Sequence, residues 1–322
     1  MSEKWIDLTP DSEVIALSDV ATSVSASATD AQVPSAKCLY DLLGGVEASL
    51  SDINGNAKPT YWGLHFVAEE ADAEIGMENV GSPDSVTLEY SVDGGATWPT
   101  FTPGTTTVTL ANIGDEAWFR AGSAGNTKIG KAGNDYRKFT LSKKCSCHGN
   151  IMSLLDGTDD ETATAVEMGD YCFESLFISC ENLTSAPSLP ASTVPQYGYE
   201  SLFRGCTSLS DAPTLSNATK ILPYSLRYMF QDCSSLSSSI EIGSSAPYAY
   251  SLNSMFKNCT SLTSVVVHFT SWTTTANYAF STSWMSGVDG VVLTGTFYCP
   301  SSLSTTSRGS SKVPTGWTVV NI

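Results

Sequence analysis

The stretch Tyr250-Ser-Leu-Asn-Ser-Met-Phe256-Lys-Asn-Cys259-Thr-Ser-Leu262 decides the fold of the second half of the chain, because its pattern occurs four times. The other copies begin at Tyr171, Tyr197 and Tyr224, and all four share Y-x5-F-x2-C-x2-L. Their cysteines follow one another at steps of 26, 27 and 26 residues. A fixed period of this length predicts a solenoid, in which each unit buries its apolar side against its neighbours.

The repeated apolar positions form the predicted core. We expect the tyrosine and phenylalanine to face inward on a short helix or 3₁₀ segment, and the leucine to begin a short strand such as residues 262–267. A small thiol at a fixed inward position is typical of packing rather than of metal binding or redox chemistry. Variable positions such as Arg204 and Lys257 should face solvent. The predicted repeat core is Phe177, Cys180, Leu183, Phe203, Cys206, Leu209, Phe230, Cys233, Leu236, Phe256, Cys259 and Leu262.

Three segments of this region carry a family resemblance. MFKNCTSL (255–262), SLFRGCTSL (201–209) and CENLTSAPSLPAST (180–193) resemble the BspA-like leucine-rich repeats of gut-bacterial (Bacteroides-type) surface proteins and of their phages. The resemblance covers residues 150–317, and residues 294–297 with 314–317 are similar to the family's C-terminal cap. It implies adhesion or recognition and no catalytic residues. The third repeat has Ile240-Glu-Ile242 where the first two have Ala-Pro, so its loop should differ in shape.

The middle of the chain, residues 61–141, alternates short apolar stretches with glycine-rich turns. Strands are expected at residues 86–90, 97–101, 107–110, 117–120 and 138–141. A small immunoglobulin-like sandwich is the fold that this pattern favours.

One hairpin in this region has a recognisable motif. Ser91-Val-Asp93-Gly-Gly95-Ala-Thr97-Trp98 resembles the Asp-box, S-x-D-x-G-x-T-W, of sialidases and other carbohydrate-active proteins. Asp93 should accept hydrogen bonds across the turn, the glycines should take positive φ and Trp98 should pack beneath. A single copy indicates a structural hairpin, since the box lies away from the catalytic centres of those families.

A second candidate motif is Cys145-Ser-Cys147-His148. Zinc sites commonly use C-x2-C with a second ligand pair, and C-x-C-H does not have that spacing. The other histidines, His65 and His268, have no cysteine or histidine beside them in the sequence. We therefore expect a linker with incidental thiols, with metal ligation as the alternative.

The first 57 residues differ from the rest. Trp5, Ile6 and Leu8 are the predicted anchoring residues of an N-terminal arm. A helix is expected over residues 30–53, and its apolar spacing of 3 and 4 favours a short coiled coil or, alternatively, packing on the chain's own sandwich. Residues 29–43, TDAQVPSAKCLYDLL, resemble the D-x-x-V-P-S-x-K-A-V-Y-D helix of phage head- and tail-fibre proteins. The predicted oligomerisation residues are Leu39, Leu43, Val46, Leu50 and Ile53.

Charge and composition exclude several function classes. The formal net charge of -17 repels phosphate backbones and anionic lipids, which argues against nucleic-acid and membrane-surface binding. The sequence has no stretch near the roughly 20 apolar residues that a membrane span needs, and its start lacks the apolar segment of a secretory signal. Nine cysteines is an odd number for a fully paired secreted scaffold.

Together these features predict a multidomain, mainly β protein with short helices. Its expected parts are an N-terminal arm and coiled-coil helix (1–57), an Ig-like sandwich (58–148) and a leucine-rich-repeat solenoid with a cap (149–322). The expected function is a phage virion protein, a homotrimeric head or tail fibre that binds a capsid or tail protein through its N-terminus and a host-surface glycan or protein through its repeats. It would assemble in the host cytoplasm, with no cofactor or metal.

Two other function classes are alternatives to a virion protein. A bacterial surface adhesin could be built from the same repeats. A glycan-active enzyme is suggested by the Asp-box alone, and it would need two carboxylates converging on one pocket. The pattern predicts no acid at a repeated, inward-facing position, and the sequence therefore predicts a protein that is not an enzyme.

Overall fold

The computed structural model of the chain describes residues 63–131, 135–157, 168–273, 280–289, 291–292 and 294–322. The predicted anchor (Trp5, Ile6, Leu8) and the predicted oligomerisation seam (Leu39, Leu43, Val46, Leu50, Ile53) lie outside these ranges. Residues Pro59–Ile322 form one compact unit, and the predicted boundary at residues 148 and 149 falls inside it.

The first part of this unit consists of two antiparallel sheets. One sheet has the strand order β4-β3-β6-β1-β8 and the other β5-β2-β7. The predicted strands correspond to β3 to β7, whereas β1, β2 and β8 were not predicted individually. The eight strands are β1 (His65–Ala68), β2 (Ala73–Val80), β3 (Leu88–Ser91), β4 (Thr100–Phe101), β5 (Val108–Leu110), β6 (Glu116–Ala121), β7 (Tyr136–Leu141) and β8 (Cys145–His148).

Aromatic rings hold these two sheets together. Phe66 of β1 and Phe119 of β6 lie in one sheet, and both contact Phe139 of the other, at ring-centroid distances of 5.0 and 5.4 Å. All three side chains are fully buried. The arrangement is a two-layer sandwich, whose immunoglobulin-like character stays a prediction.

The second part is a β-solenoid of about five turns. A helix α1 (Ser153–Asp156) precedes its repeats. Its strands pair in parallel from coil to coil, in the orders β9-β10 and β11-β12-β13-β14. The third repeat differs as expected, since its Ile240-Glu-Ile242 forms a strand of its own. The strands are β9 (Thr193–Val194), β10 (Lys220–Ile221), β11 (Ile240–Ile242), β12 (Ser264–Val267), β13 (Thr296–Cys299) and β14 (Thr318–Asn321).

The Tyr-to-Cys segment of each repeat is not a helix, and this corrects the prediction of short helices. In the first coil the amides of residues 174, 176, 178 and 180 close turns onto carbonyls three residues earlier. The alternate amides of residues 173, 175, 177 and 179 instead donate to carbonyls of the next coil. Every fourth residue has positive φ, as at Tyr171 (63°), Ser175 (58°) and Ser179 (55°), which prevents a continuous helix. The result is a ribbon of turns bonded to its neighbours like a parallel sheet.

All twelve predicted core residues are buried, with exposures between 0% and 3%. Phe177, Phe203, Phe230 and Phe256 form a stack, here called the phenylalanine column, with centroids 5.3 to 5.8 Å apart. The cysteines lie beside it, and the thiols of Cys206, Cys233 and Cys259 donate to phenylalanine carbonyls of the preceding coil at 2.9 to 3.0 Å. None of the eight described cysteines forms a disulfide.

The sandwich closes the N-terminal end of the solenoid. Phe139 of β7 stacks on Phe177 at 5.4 Å, and its amide donates to the carbonyl of Leu176. Strand β8 extends the repeat further, because Cys145 forms a parallel bridge with Leu183. The aromatic column therefore runs from the sandwich into the repeats without a break, and the end coil does not expose its core.

Tryptophans close the opposite end. Trp284 occupies in the fifth coil the position that Met255 has in the fourth, and its ring contacts Phe256 at 5.8 Å. Its indole N–H donates to the carbonyl of Lys312, and that of Trp317 donates to Val292. Trp317 belongs to the segments 294–297 and 314–317 that the sequence assigns to the C-terminal cap, whereas Trp284 precedes them. The outermost strand, β14, is mostly exposed.

Candidate functional site

The four repeated tyrosines lie on the surface in a single stack, here called the tyrosine ladder: Tyr171, Tyr197, Tyr224 and Tyr250. Successive ring centroids are 4.5, 5.1 and 5.4 Å apart, and the rings are within 13° of parallel. The first three are partly exposed, and Tyr250 is 36% exposed. The prediction that these tyrosines face inward with the phenylalanines is therefore wrong. The turn ribbon points the two aromatic positions in different directions, which a helix prediction could not foresee.

Each ladder tyrosine has an unusual backbone conformation. The four φ angles are 63°, 59°, 61° and 57°, in the left-handed region. A bulky side chain there costs roughly 1–2 kcal/mol relative to glycine. The equivalent position four residues later is mostly serine, and the next is Ser179, Gly205, Asp232 or Asn258, residues that tolerate this region better. Tyrosine is thus retained where smaller residues would fit with less strain.

A second line of side chains, here called the polar column, lies three residues after each ladder tyrosine: Glu174, Glu200, Arg227 and Asn253. Arg227 Nε donates to Glu200 Oε1 at 2.7 Å, and Nη2 lies 2.5 Å from the same oxygen. The Arg227 guanidinium carbon also lies 4.9 Å from the ring centroid of Tyr224 and 5.6 Å from that of Tyr197. The ladder therefore already holds one cation, which the Glu200 carboxylate binds and which lies beside two of the rings.

Glu174, at the start of the polar column, has no such partner. Its side chain is buried, with 9% of the residue exposed, and Oε2 makes no hydrogen bond. Burial, followed by the nearby Glu200 carboxylate, raises the pKa of Glu174 to about 7, while Arg227 acts in the opposite direction. Burial also raises the pKa of Glu200, although Arg227 opposes that shift. The expectation that no acid occupies a repeated inward position is therefore wrong.

The Asp-box hairpin has the local geometry predicted for it. Asp93 Oδ1 accepts from the Thr97 amide at 3.0 Å, and Oδ2 accepts from the Thr97 hydroxyl at 2.6 Å. The Ser91 hydroxyl donates to Asp93 at 2.7 Å, and these bonds lower the pKa of Asp93 to about 2. The indole N–H of Trp98 donates to Gly95, and Arg120 lies 3.9 Å above the indole ring. Both carboxylate oxygens of Asp93 accept hydrogen bonds from within its own turn, which suits a structural role.

The C-S-C-H motif is part of a strand, not a linker as predicted. Cys145 and Cys147 are fully buried in β8, and burial raises the pKa of both thiols, that of Cys145 to about 12. Antiparallel pairing of β1 and β8 places His148 opposite His65, with ring centroids 5.5 Å apart. The sequence could not show this proximity, because it depends on strand register. Among the described residues, no group of three or more His, Cys, Asp or Glu could hold a metal ion.

Arg204 and Lys257, expected in solvent, are partly exposed, and Arg204 lies 5.7 Å from the ring of Tyr228 beside the polar column.

The helix within the described ranges is far too short and polar to cross a membrane. No protein-family model, curated protein or solved structure matches the chain.

Proposed function

We propose that this chain is a non-catalytic phage virion protein, a head or tail fibre or decoration, whose solenoid attaches the particle to a host or mucosal surface. The observation that carries the attachment role is the tyrosine ladder, four surface aromatics in strained backbone on a capped solenoid. Strain that is retained at each repeat is typical of functional positions. Tyrosine is also among the side chains most enriched at binding hot spots.

The virion part of the proposal rests on resemblance. Residues 29–43 resemble a phage fibre helix, and the repeats resemble the BspA-like leucine-rich repeats of gut bacterial surface proteins and their phages. In this proposal Trp5, Ile6 and Leu8 anchor the chain to a capsid or tail protein. The coiled-coil residues 39–53 join three copies, and the sandwich, taken as immunoglobulin-like, carries the solenoid outward. The protein assembles in the host cytoplasm and remains on the virion.

A binding role also suits the carboxylates of the site better than a catalytic one. The Glu200 carboxylate is engaged by Arg227 through both Nε and Nη2. A hydrolase of glycosides would need one free base and one acid flanking the substrate. Glu174 and Glu200 instead follow one another along the solenoid, as repeat positions do.

Location is tested on purified phage particles. We expect mass spectrometry to find the chain in particles banded by density, and gold-labelled antibody to decorate them in electron micrographs. Label on the bacterial envelope and none on particles would support the alternative, a bacterial cell-surface adhesin.

Binding is tested with the full chain on a glycan array and on host-cell envelopes. Replacing two ladder residues (Tyr197→Ser with Tyr224→Ser) should weaken binding at least about tenfold, the effect of losing roughly 1.4 kcal/mol. The matched control is Tyr248→Ser, because Tyr248 is also exposed, at 45%, but lies outside the ladder. Equal binding by the ladder variant and the control would contradict the attachment role of the ladder.

Assembly is tested by sedimentation. The full chain should sediment as a trimer, and a chain that begins at Asn56 should sediment as a monomer. If the full chain sediments as a monomer, the proposed trimeric neck is wrong.

A further inference from the structure

The arrangement around Arg227 repeats one coil earlier without its cation. In the second and third coils, Glu200 and the rings of Tyr197 and Tyr224 surround the Arg227 guanidinium. The equivalent residues in the first and second coils are Glu174, Tyr171 and Tyr197. The position equivalent to Arg227 is there occupied by Glu200, which is an anion. The repeat thus provides the same carboxylate and the same ring pair, but no internal guanidinium.

Glu174 lacks the hydrogen-bonded partner that Glu200 has. Its Oε2 atom is buried and makes no hydrogen bond, an uncommon state for a polar atom in a folded protein. Leaving a buried carboxyl unsatisfied is costly, whereas a hydrogen-bonded cation would relieve the cost. The rings beside it are the closest pair of the ladder, 4.5 Å apart.

The side chains around this position also differ in size. In the third coil Tyr228 covers Arg227, with its ring centroid 5.1 Å from the guanidinium carbon. Its equivalent one coil earlier is Ser201, which has no ring. The first position therefore lacks the ring that covers the second.

We propose that Glu174, Tyr171 and Tyr197 form a binding site for a guanidinium group, supplied by an arginine side chain of a partner protein on the attached surface. A planar guanidinium can bond a carboxylate while it lies against aromatic rings, as Arg227 does in the next coil. The partner class rests on the proposed function, but the binding of a guanidinium by the isolated chain does not.

The charge of the site makes the affinity for a cation depend on pH. Glu200, Arg227 and Tyr171 are the titratable and charged groups that act on Glu174 or are acted on by it. Because the pKa of Glu174 is about 7, the free site is partly protonated near neutrality, and a cation must displace that proton to bind. Affinity should therefore increase with pH until Glu174 is fully ionised.

The experiment titrates the full chain with N-acetyl-arginine amide, followed by NMR or calorimetry. N-acetyl-citrulline amide is the uncharged control of nearly equal shape, and glucosamine is the ammonium control. We expect saturable binding of the arginine amide, none of the citrulline amide, and affinity about tenfold lower at pH 6 than at pH 8.

Substitutions test which residues bind the arginine amide. Glu174→Gln should weaken arginine amide binding at least tenfold and remove its pH dependence. Glu181→Gln, which makes the same charge change at an exposed position of the same coil, should change neither. Tyr171→Leu should weaken binding while Tyr171→Phe retains it, and unchanged circular dichroism of each variant shows that the fold is kept.

The proposal is overturned if Glu174→Gln binds like the unaltered chain, if the citrulline amide binds equally well, or if affinity is independent of pH. Binding of glucosamine in preference to the arginine amide would also overturn it and indicate an amino-sugar ligand. Particle labelling reports separately on the virion role, so either result can fail without the other.

Discussion

The phenylalanine column and the tyrosine ladder run along the same coils, six residues apart in every repeat, yet one is core and the other is surface. The phenylalanines are fully buried and stack at 5.3 to 5.8 Å. The tyrosines are partly exposed and stack at 4.5 to 5.4 Å in positive-φ backbone. The comparison shows that periodicity establishes which residues stack, and that the turn ribbon between them determines which stack faces water.

The phenylalanine column and the tyrosine ladder should also differ in how much they contribute to stability. Burial of an aromatic ring removes its whole surface from water, whereas a surface stack shields only the ring faces. We therefore assign stability to the phenylalanine column, whereas the proposed function assigns recognition to the tyrosine ladder. Substitutions within one coil can separate these roles, because Tyr224 and Phe230 belong to the same repeat.

The largest effect is expected at Phe230. Phe230→Ala should lower the free energy of unfolding by about 3–5 kcal/mol, since it leaves a cavity between Phe203 and Phe256. Phe230→Leu, the control that retains most of the volume, should cost less than about 1.5 kcal/mol. Urea unfolding followed by fluorescence measures both. A loss below 1 kcal/mol for Phe230→Ala would contradict a tightly packed column.

A smaller effect is expected at Cys233, one of the buried cysteines that lie beside the phenylalanine column. Cys233→Ser should destabilise the chain by roughly 1–3 kcal/mol, because the hydroxyl brings stronger desolvation into an apolar site than the thiol does. The Cys233 thiol donates to Phe203 and is fully buried, and burial raises its pKa. In the folded chain a thiol reagent at pH 8 should therefore not label it. If the reagent labels Cys233 in the folded chain as fast as it labels a solvent-exposed thiol, Cys233 is not part of the core.

The polar column between core and ladder should give a pH signature of roughly 1–2 kcal/mol, reduced by partial contact with solvent. Glu174 ionises near 4.5 in the unfolded chain and near 7 in the folded one. Between these values the folded state keeps a proton that the unfolded state loses, so the contribution of Glu174 to stability is largest below pH 4.5 and decreases as pH rises to 7.

Urea midpoints of the unaltered chain and of Glu174→Gln, measured from pH 4.5 to 8, report this difference. The unaltered chain should lose more stability across the range than the glutamine variant does. Parallel curves for the two proteins would mean that Glu174 does not hold its proton in the folded state.

Much of the fold follows from the sequence. The step of 26 to 27 residues predicts the solenoid, and the turn residues predict most strands of the sandwich. The side-chain bonds within Ser91 to Trp98 follow from local chemistry, so the Asp-box geometry was also predictable. These features depend on residues close together in the chain.

The rest depends on contacts between distant residues. That the sandwich caps the solenoid follows from Phe139 stacking on Phe177, and the pairing of His65 with His148 follows from strand register. The candidate site was missed because the tyrosines were assigned to a helix with the phenylalanines. One signal was available: Glu174, Glu200 and Arg227 recur three residues after a tyrosine, and charged residues at a fixed repeat position suggest a partly exposed face.

The smallest effect on stability, and the sharpest test of the comparison, is expected at Tyr224. Tyr224→Gly removes two stacked contacts worth about 0.5–1.5 kcal/mol each, but it also relieves roughly 1–2 kcal/mol of strain at a φ of 61°. At the midpoints of these ranges the two changes leave a loss of only about 0.5 kcal/mol in the free energy of unfolding. Binding to the host surface should nevertheless decrease, since the glycine leaves a gap in the ladder. A loss of stability close to that of Phe230→Ala would show that the ladder is part of the core and that the two columns do not differ in role.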